Sequence, residues 1–261
     1  MKKSKTNNNN LLSNLNQAQL EAVTHDSGPM LIVAGAGTGK TTVLINRLAW
    51  LLQEKAINPE QILLSTFTKK GAAELEERAD KLLPYGCVNL WINTFDSFGE
   101  RILRDHALDI GLSPNFKVLD QTEQWMFIRK HLNEFKLDYY KPLGDPTKFI
   151  HEIISHFSRL KNENILPEDY LKLAEEKIAD SDKVLSSDDP VLAKASAGEA
   201  DKLDASRLNE LANGYHIYNR LLAKEGLLDF GDLIRYTIKL FKERPNILSK
   251  YREQFKYIMV D

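Results

Sequence analysis

The sequence predicts an α/β fold in which a parallel sheet, flanked by helices, is interrupted by a long helical insertion. A short apolar stretch at residues 29–33 runs into a glycine-rich loop and then into a helical pattern. Two further apolar stretches, within residues 62–79 and 90–104, are each followed by a helical pattern. Strands that alternate with helices are typical of a parallel sheet, because each crossover between parallel strands usually contains a helix. Residues 113–215 carry mainly helical patterns and form the predicted insertion.

The composition is that of an ordinary globular protein. Of the 261 residues, 43% are hydrophobic and 28% are charged, and no apolar run approaches the length needed to cross a bilayer. Residues 1–10 are basic and asparagine-rich without the apolar core of a signal peptide, which predicts a disordered tail. The single cysteine, Cys87, rules out an internal disulfide and favours a reduced, cytoplasmic setting. A net charge of −2 gives no sign of nucleic-acid binding, although a local basic groove can bind phosphates.

The glycine-rich loop has the sequence VAGAGTGKTT, from Val33 to Thr42. Glycines let several backbone N–H groups point into one hollow, and the start of the following helix adds its partial positive charge there. Lys40 would reach the β- and γ-phosphates of a nucleotide, and the Thr41 hydroxyl would complete the ligand shell of Mg²⁺. The loop therefore predicts a P-loop that binds a nucleoside triphosphate with its metal, although Ala34 stands at the pattern's first glycine.

The segments on either side of the loop favour this prediction over a glycine-rich turn that matches by chance. Residues 29–33, PMLIV, are short, apolar and rich in β-formers, which predicts a buried strand. After the loop, apolar residues recur at helical spacing, at Val43, Leu44, Leu48, Leu51 and Leu52. Strand, loop and helix in this order are the context that a P-loop requires.

A glutamine precedes the loop in the stretch LNQAQLEAV, Leu15–Val23. The amide of Gln19 both donates and accepts hydrogen bonds, so it could bind the N6 and N7 atoms of adenine together. A glutamine on a short helix is more often simply solvated, and the residue alone does not decide between the two interpretations.

Two predicted strands end in a hydroxyl, an aromatic ring and the start of a helix. The first ends in TFT, Thr66 to Thr68, and the second ends in NTF, with Thr94 and Phe95. Ligands of open α/β sheets bind at the carboxyl ends of the strands. There Phe67 could stack on a base and the threonines could bond phosphates. Composition alone favours core positions for the two phenylalanines.

Taken together, these stretches resemble the UvrD, PcrA and Rep helicases of superfamily one. LNQAQLEAV is similar to their Q motif, and AGAGTGKT is similar to their motif I, in which a first alanine is usual. STFTKKGAAEL and NTFDSF are similar to motifs Ia and Ib. KNENILPEDY, Lys161–Tyr170, resembles a stretch of their inserted helical subdomain. LLDFGDLI, Leu227–Ile234, resembles the segment in which their chain returns to the motor domain.

The resemblance implies a RecA-like P-loop NTPase fold. Its first motor domain would be discontinuous, with residues 11–112 and 216–261 separated by an inserted helical subdomain at 113–215. The implied activity is that of an ATP-dependent helicase that moves 3′ to 5′ along single-stranded DNA and unwinds duplex, in DNA repair or replication. ATP and Mg²⁺ would be its cofactors. Its partners would be single-stranded DNA, single-strand/duplex junctions and a second motor domain in cis, with no membrane.

The resemblance also implies roles for individual residues. Lys40 would stabilise charge on the transferred γ-phosphate, and Asp261 would support Mg²⁺ together with Thr41. The ATP-binding residues would be Gln19, Ala34, Gly35, Ala36, Gly37, Thr38, Gly39, Lys40, Thr41 and Thr42. The DNA-binding residues would be Thr66, Phe67, Thr68, Thr94, Phe95 and Lys161. Of these, Lys161 either approaches duplex DNA or is simply solvated.

Two residues depart from the family pattern. Motif Ia usually has asparagine where Lys69 stands, and a lysine there either adds a phosphate contact or faces solvent. Motif Ib usually has histidine where Asp96 stands. A phosphate repels an aspartate, so the DNA-binding role of the histidine is not carried over to Asp96, which we expect to cap the following helix.

The chain ends in KYIMVD, an apolar strand that finishes in Asp261 and resembles the start of the Walker B motif. In the family a glutamate that activates the attacking water follows at once, and the second motor domain lies beyond it. We therefore expect the 261-residue chain alone not to unwind DNA and to hydrolyse ATP barely, if at all.

Two other functions fit parts of the sequence. One is a natural truncated protein that binds nucleotide or DNA and regulates a helicase without catalysis. The other is a P-loop small-molecule kinase, but such an enzyme has no use for aromatic residues along the edge of its sheet. An insertion of roughly 100 residues favours UvrD-like helicases over helicase–nuclease motors such as AddA or RecB, whose insertions are usually larger.

Within the insertion, two patterns give specific expectations. Residues 121–134 carry an apolar stripe at helical spacing, which predicts core packing for Trp125, Phe127, Ile128 and Leu132. Residues 185–206 are small, polar and partly acidic, which predicts a mobile loop or a surface excursion.

Overall fold

The computed structural model describes residues 12–35, 37–82, 90–185 and 196–261. The tail predicted for residues 1–10 lies outside this part of the chain, and so does Ala36 of the glycine-rich loop. The described residues form two compact units. One contains the residues up to Arg101 together with Phe241–Asp261, and the other contains Ile102–Leu240.

The structure is mixed α/β. The helices are α1 (Gln17–Thr24), α2 (Lys40–Gln53), α3 (Lys69–Leu82), α4 (Phe95–Asp105), α5 (Gln121–His131), α6 (Ile150–Asn162), α7 (Pro167–Leu185), α8 (Ser196–Glu225), α9 (Phe230–Glu243) and α10 (Pro245–Gln254). Short 3₁₀ helices cover Pro59–Gln61 and Ala107–Ile110. The strands are β1 (Ile62–Thr66), β2 (Trp91–Thr94), β3 (Lys117–Leu119), β4 (Leu227–Asp229) and β5 (Tyr257–Val260).

The first unit is built on a three-stranded parallel sheet with the order β2-β1-β5. Its register pairs Thr66 with Thr94 and Ile62 with Tyr257, so the three strands end at one edge of the sheet. The strands predicted within residues 62–79, 90–104 and 256–261 are therefore confirmed. The parallel pairing joins β5 to β1 although they lie far apart in the sequence.

One face of this sheet is covered by α2 and α3. Its buried side chains include Ile62, Leu64, Ile92 and Met259. The helical stripe predicted after the glycine loop packs into the same cluster, with Val43, Leu44, Leu48 and Leu51 all buried. The apolar spacing of the sequence thus correctly identified the face of α2 that anchors the loop to the sheet.

The strand predicted at residues 29–33 is wrong for this structure, because residues 29–35 have no regular secondary structure. Leu31 is 88% exposed and Val33 is 89% exposed. A strand is stabilised by hydrogen bonds to a neighbouring strand, and the described residues form a sheet of β2, β1 and β5 without this segment. The apolar run alone could not supply that partner.

The second unit is mainly helical and contains a small parallel sheet of β3 and β4. Its largest core cluster includes Phe127, Ile128 and Leu132, as the stripe predicted, while Trp125 is partly buried against it. Other large side chains of this core are Phe135, Phe157, Tyr215 and Tyr218.

The unit boundaries fall at residues 101/102 and 240/241, inside α4 and α9, and the predicted domain bounds of 112 and 216 stay predictions. Pairing between β3 and β4 holds residues 117–119 and 227–229 in the second unit. The same unit contains a second buried apolar cluster, formed by Leu103, Phe116, Leu228 and Leu233. The stretch 216–240 therefore belongs to the helical unit.

The loop predicted at residues 185–206 is wrong in its second half, because α8 begins at Ser196. Residues 186–195 lie outside the described part of the chain. The segment from 196 is rich in alanine, glutamate, lysine and leucine, and their helix propensity outweighs the small and polar character of the stretch. Separately, none of the described helices has the length and hydropathy that crossing a bilayer requires.

Candidate nucleotide and nucleic-acid sites

The glycine-rich loop turns into α2 through two residues with left-handed backbone. Gly37 has φ of 75°, and Gly39, the N-cap residue of α2, has φ of 93°. Only glycine adopts these conformations without steric cost. The turn places the unpaired N–H groups of the first turn of α2 beside the loop, where they favour an anion.

Lys40 lies within the curve of this loop. Its Nζ donates to the carbonyl oxygens of Ala34 at 3.1 Å and Gly35 at 2.7 Å. The Thr38 hydroxyl donates to the same Gly35 oxygen at 2.8 Å. Two carbonyls at the start of the loop therefore hold the Lys40 ammonium group. Thr42 lies in the first turn of α2 and is exposed.

Thr41, the next residue of α2, meets the end of β5. Its hydroxyl donates to Asp261 Oδ2 at 3.3 Å, across 220 residues of sequence. The position of Asp261 follows from the sheet, because its backbone N–H donates to the Ser65 carbonyl of β1 at 2.9 Å. A hydroxyl oxygen and a carboxylate oxygen are both ligands of the kind that Mg²⁺ binds.

Gln19 contacts the same loop from α1. Its Nε2 donates to the Thr38 carbonyl at 3.2 Å, while its Oε1 accepts from the Asn16 N–H at 3.1 Å in a capping box. Asn16, Ala18, Gln19, Ala22, Ile32, Val33, Ala34, Thr38, Lys40 and Val43 line a cavity of 200 Å³. The cavity is partly apolar, and one of its walls carries the amide that could bind adenine.

Sequence reasoning missed Arg47, which fixes α1 to α2. Its guanidinium donates to the carbonyls of Ala22, Val23 and His25 at 3.1, 3.1 and 2.8 Å, and only 8% of the residue is exposed. These carbonyls belong to the C-terminal end of α1 and have no partner within a helix. The signal for this role in the sequence was an arginine among the apolar residues of α2. Arg47 holds in place the helix that carries Gln19.

At the carboxyl ends of β1 and β2, the two phenylalanines are on the surface. Phe67 is 86% exposed and Phe95 is 52% exposed, so the core positions that composition favoured are wrong. Exposed rings beside strand ends suit stacking on unpaired bases. Thr68 is also exposed, and its hydroxyl oxygen accepts from the Gly71 N–H at 2.9 Å to cap α3.

The threonines that end the strands are buried instead. Thr66 is 6% exposed and Thr94 is 4% exposed. Thr94 and Ser97 cap the start of α4, because each hydroxyl accepts from the backbone N–H of the other residue, at 3.1 and 2.8 Å. The structure thus gives Thr94 a capping role, and the phosphate contacts expected of Thr66 and Thr94 stay predictions.

The expected DNA contact of Lys161 is corrected by the structure. Its side chain is 0% exposed, and its Nζ pairs with Asp229 Oδ2 at 2.6 Å and Asp232 Oδ2 at 2.7 Å. An ammonium held by two buried carboxylates reaches neither solvent nor a DNA phosphate. Neither alternative left by the sequence, a duplex contact or a solvated lysine, is right.

In the ion cluster around Lys161, positive and negative charges are equal in number and each charged group is hydrogen-bonded. Arg235 Nη2 donates to Asp232 Oδ1 at 2.9 Å, so two cations face two carboxylates. The Tyr218 hydroxyl donates to Asp229 Oδ2 at 3.0 Å, and burial raises the pKa of Tyr218 well above its ordinary value. Asp229 and Asp232 also accept from each other's backbone N–H groups, at 3.0 and 3.1 Å, which caps α9. The cluster ties α6, α8 and α9 together.

Comparison with known proteins identifies a family. The family model of the UvrD/REP helicase N-terminal domain matches residues 15–261. The chain is similar to the ATP-dependent DNA helicase PcrA of Bacillus subtilis (strain 168), with 39% identity over 254 residues. It is also similar to the PcrA helicase of Staphylococcus aureus (strain Mu50), with 38% identity over 253 residues. Each match covers 97% of this chain but only 30% of the relative's length.

Replacing Lys161 by methionine is expected to destabilise the protein strongly. The change leaves Asp229 and Asp232 buried without their shared cation, which typically costs about 3–5 kcal/mol. Lys130→Met is the matched control, because Lys130 is largely exposed and its pair with Glu225 contributes at most about 1 kcal/mol. Urea denaturation followed by circular dichroism measures both. Equal stability of the two variants would show that the cluster does not hold the fold.

Proposed function

This chain belongs to the UvrD/REP helicase N-terminal domain family, and we propose that it forms the ATP-binding part of an ATP-dependent DNA helicase. The whole protein would move 3′ to 5′ along single-stranded DNA and unwind duplex, in DNA repair or replication. The chain spans about 30% of the length of the curated relatives it matches. The activity of a whole helicase is therefore part of the proposal.

The observation that carries the proposal is the hydrogen bond between Thr41 and Asp261 at the mouth of the loop. It joins a hydroxyl to a carboxylate next to Lys40 in the sequence, which an isolated glycine-rich turn would not do. The loop and Lys40 would hold the phosphates of ATP, and Thr41 with Asp261 would hold Mg²⁺. The metal would neutralise charge on the phosphates, while Lys40 would stabilise the transferred γ-phosphate.

The cavity beside the loop supports adenine as the base. Gln19 lies on its wall, and Arg47 fixes the helix from which that amide projects. Reading adenine N6 and N7 would use the same Oε1 and Nε2 atoms that now bond Asn16 and Thr38. Adenine binding would therefore exchange these contacts for contacts of the same kind, at little net cost.

We also propose that the sheet belongs to a RecA-like P-loop fold, with the helical second unit as its insertion. The exposed apolar residues Leu31 and Val33 precede the loop, and Ile258 and Val260 of β5 are 65% and 58% exposed. Apolar side chains of this kind suit further strand pairing and packing. A second motor domain in cis would complete the nucleotide site of the whole helicase.

Single-stranded DNA would lie along the carboxyl edge of the sheet. The exposed rings of Phe67 and Phe95 offer faces for unpaired bases, which stack on aromatic side chains without regard to sequence. Thr68, on the same edge, still has a hydroxyl hydrogen to donate to a phosphate. Junctions between single strand and duplex would be the corresponding substrate of the whole protein.

The nucleotide site is tested by Lys40→Ala. Because a charge-assisted contact to phosphate contributes about 1.5–3 kcal/mol, affinity for a fluorescent ATP analogue with Mg²⁺ should fall roughly 10- to 100-fold. Lys55→Ala is the control, since Lys55 pairs with Asp26 on the surface and lies outside the loop. Equal affinity of the two variants in fluorescence titrations would refute a phosphate role for Lys40.

The DNA-binding edge is tested by Phe67→Ala. Loss of one stacking platform should weaken binding of a labelled oligo-dT roughly 5- to 100-fold in fluorescence anisotropy. Phe67→Trp retains an aromatic face and should bind like the unsubstituted chain. Because the ring is 86% exposed, neither change should alter the denaturation midpoint. Unchanged oligo-dT affinity in the alanine variant would contradict stacking on Phe67.

A further inference from the structure

Two cations on one face of α2 each hold a different part of the chain. Lys40 is the first residue of this helix and donates to the glycine-rich loop, whereas Arg47 lies two turns later and donates to the end of α1. Two helical turns span about 10 Å along the axis and bring both side chains to the same side of the helix. α2 therefore fixes the spacing between the place for phosphates and the place where α1 is held.

Arg47 contacts α1 through a single nitrogen. Nη1 lies 3.1 Å from the carbonyl oxygens of Ala22 and Val23 and 2.8 Å from that of His25. Burial lowers the pKa of Arg47, and within the described residues its hydrogen-bond partners are these carbonyls rather than a carboxylate. The C-terminal end of a helix carries partial negative charge, so α1 itself offsets the buried positive charge.

α1 has few other anchors. It contains eight residues, too few for a helix that is stable alone in water, and Val23 is the one residue of this helix that is buried. Its N-terminal end is closed by the capping box of Asn16 and Gln19, which itself uses the glutamine amide. The position of α1 therefore depends strongly on the arginine at its other end.

Gln19 lies one turn before the carbonyls that Arg47 binds, and its amide fits closely over the loop. Its Nε2 donates to the Thr38 carbonyl at 3.2 Å, and a Cβ atom at position 39, which is glycine, would lie only 3.0 Å from the same nitrogen. Hydrogen bonds weaken steeply as distance and angle depart from their preferred values, and two bonds to one base edge need the amide in one place. A small displacement of α1 would therefore weaken recognition of the base and leave Lys40, on α2, where it is.

We propose that Arg47 is a positioning residue for base selectivity, which fixes α1 so that the Gln19 amide can bind the edge of adenine. The inference rests on the proposed function of the loop as an ATP site. Arg47 touches neither base nor phosphate and acts through Gln19. Guanine presents two acceptors where adenine presents a donor and an acceptor, so a well-placed amide favours ATP over GTP. Loss of Arg47 should reduce this preference without affecting the binding of the phosphates.

The experiment measures the affinities of ATP, GTP and inorganic tripolyphosphate for the full 261-residue chain, by competition against a fluorescent ATP analogue with Mg²⁺. Arg47→Met removes the guanidinium, Gln19→Ala removes the amide, and the double variant completes the cycle. Arg252→Met is the matched control, because Arg252 is exposed on α10. Arg47→Lys keeps a cation that can face the same carbonyls, and replaces Arg47→Met in the cycle if circular dichroism shows that the methionine variant does not fold.

The unsubstituted chain and Arg252→Met should bind ATP about tenfold more tightly than GTP, the effect of one or two net hydrogen bonds. Gln19→Ala should abolish this preference, and Arg47→Met should reduce it to about threefold or less, with Arg47→Lys between Arg47→Met and the unsubstituted chain. The affinity for tripolyphosphate should change by less than about twofold in every variant, and so should the ATP affinity when Arg47→Met is added to Gln19→Ala.

Three results would overturn the inference while leaving the phosphate site in place. If Arg47→Met weakens binding of ATP and tripolyphosphate equally, Arg47 supports the unit as a whole and not the base site. If Arg47→Met weakens ATP binding as much in the Gln19→Ala background as alone, it does not act through the amide. If the unsubstituted chain binds ATP and GTP equally, Gln19 does not recognise adenine and Arg47 has no selectivity to support. If the chain binds neither nucleotide nor tripolyphosphate, the proposed function itself fails.

Discussion

The parallel pairing of β1 with both β2 and β5 is the constraint on which the candidate sites depend. In a parallel sheet every strand ends at the same edge, so residues that follow different strands are brought together whatever their separation in sequence. Asp261 follows the carboxyl end of β5 and therefore lies beside Thr41 at the start of α2. Phe67 and Phe95 follow the carboxyl ends of β1 and β2 and therefore lie at the same edge of the sheet. The proposed nucleotide site and the proposed single-strand site therefore share one edge of the sheet.

A different principle stabilises the helical unit. There two cations and two carboxylates lie in the interior. Their net contribution to folding stability depends on complete pairing, because desolvation of each ion is costly. Lys161, Arg235, Asp229 and Asp232 satisfy this condition with the help of Tyr218. The cluster fixes the start of α9, the helix within which the chain passes from the second unit to the first. Its role is to define the geometry of the unit rather than to contact a ligand.

The sequence predicted features that depend on neighbours along the chain and failed where distant residues decide. The glycine loop, the stripe of α2 and the strands β1, β2 and β5 follow from local pattern. The run at 29–33 had the pattern of a strand but not the partner that a strand needs. Lys161 has the sequence context of a surface lysine, and its burial depends on carboxylates 68 and 71 residues away. Family resemblance, rather than physical pattern, suggested the metal role of Asp261, whereas the place of Phe67 at the end of a strand had already suggested base stacking.

The central claim is that Thr41 and Asp261, 220 residues apart, form the metal-binding part of an ATP site. The most direct test is the Mg²⁺ dependence of ATP-analogue binding to the chain and to Asp261→Asn, by isothermal titration calorimetry. We predict that Mg²⁺ strengthens binding to the unsubstituted chain about tenfold and leaves the affinity of Asp261→Asn nearly unchanged, because the variant lacks the carboxylate ligand. An equal gain from Mg²⁺ in both proteins would contradict the assignment of Asp261 to the metal.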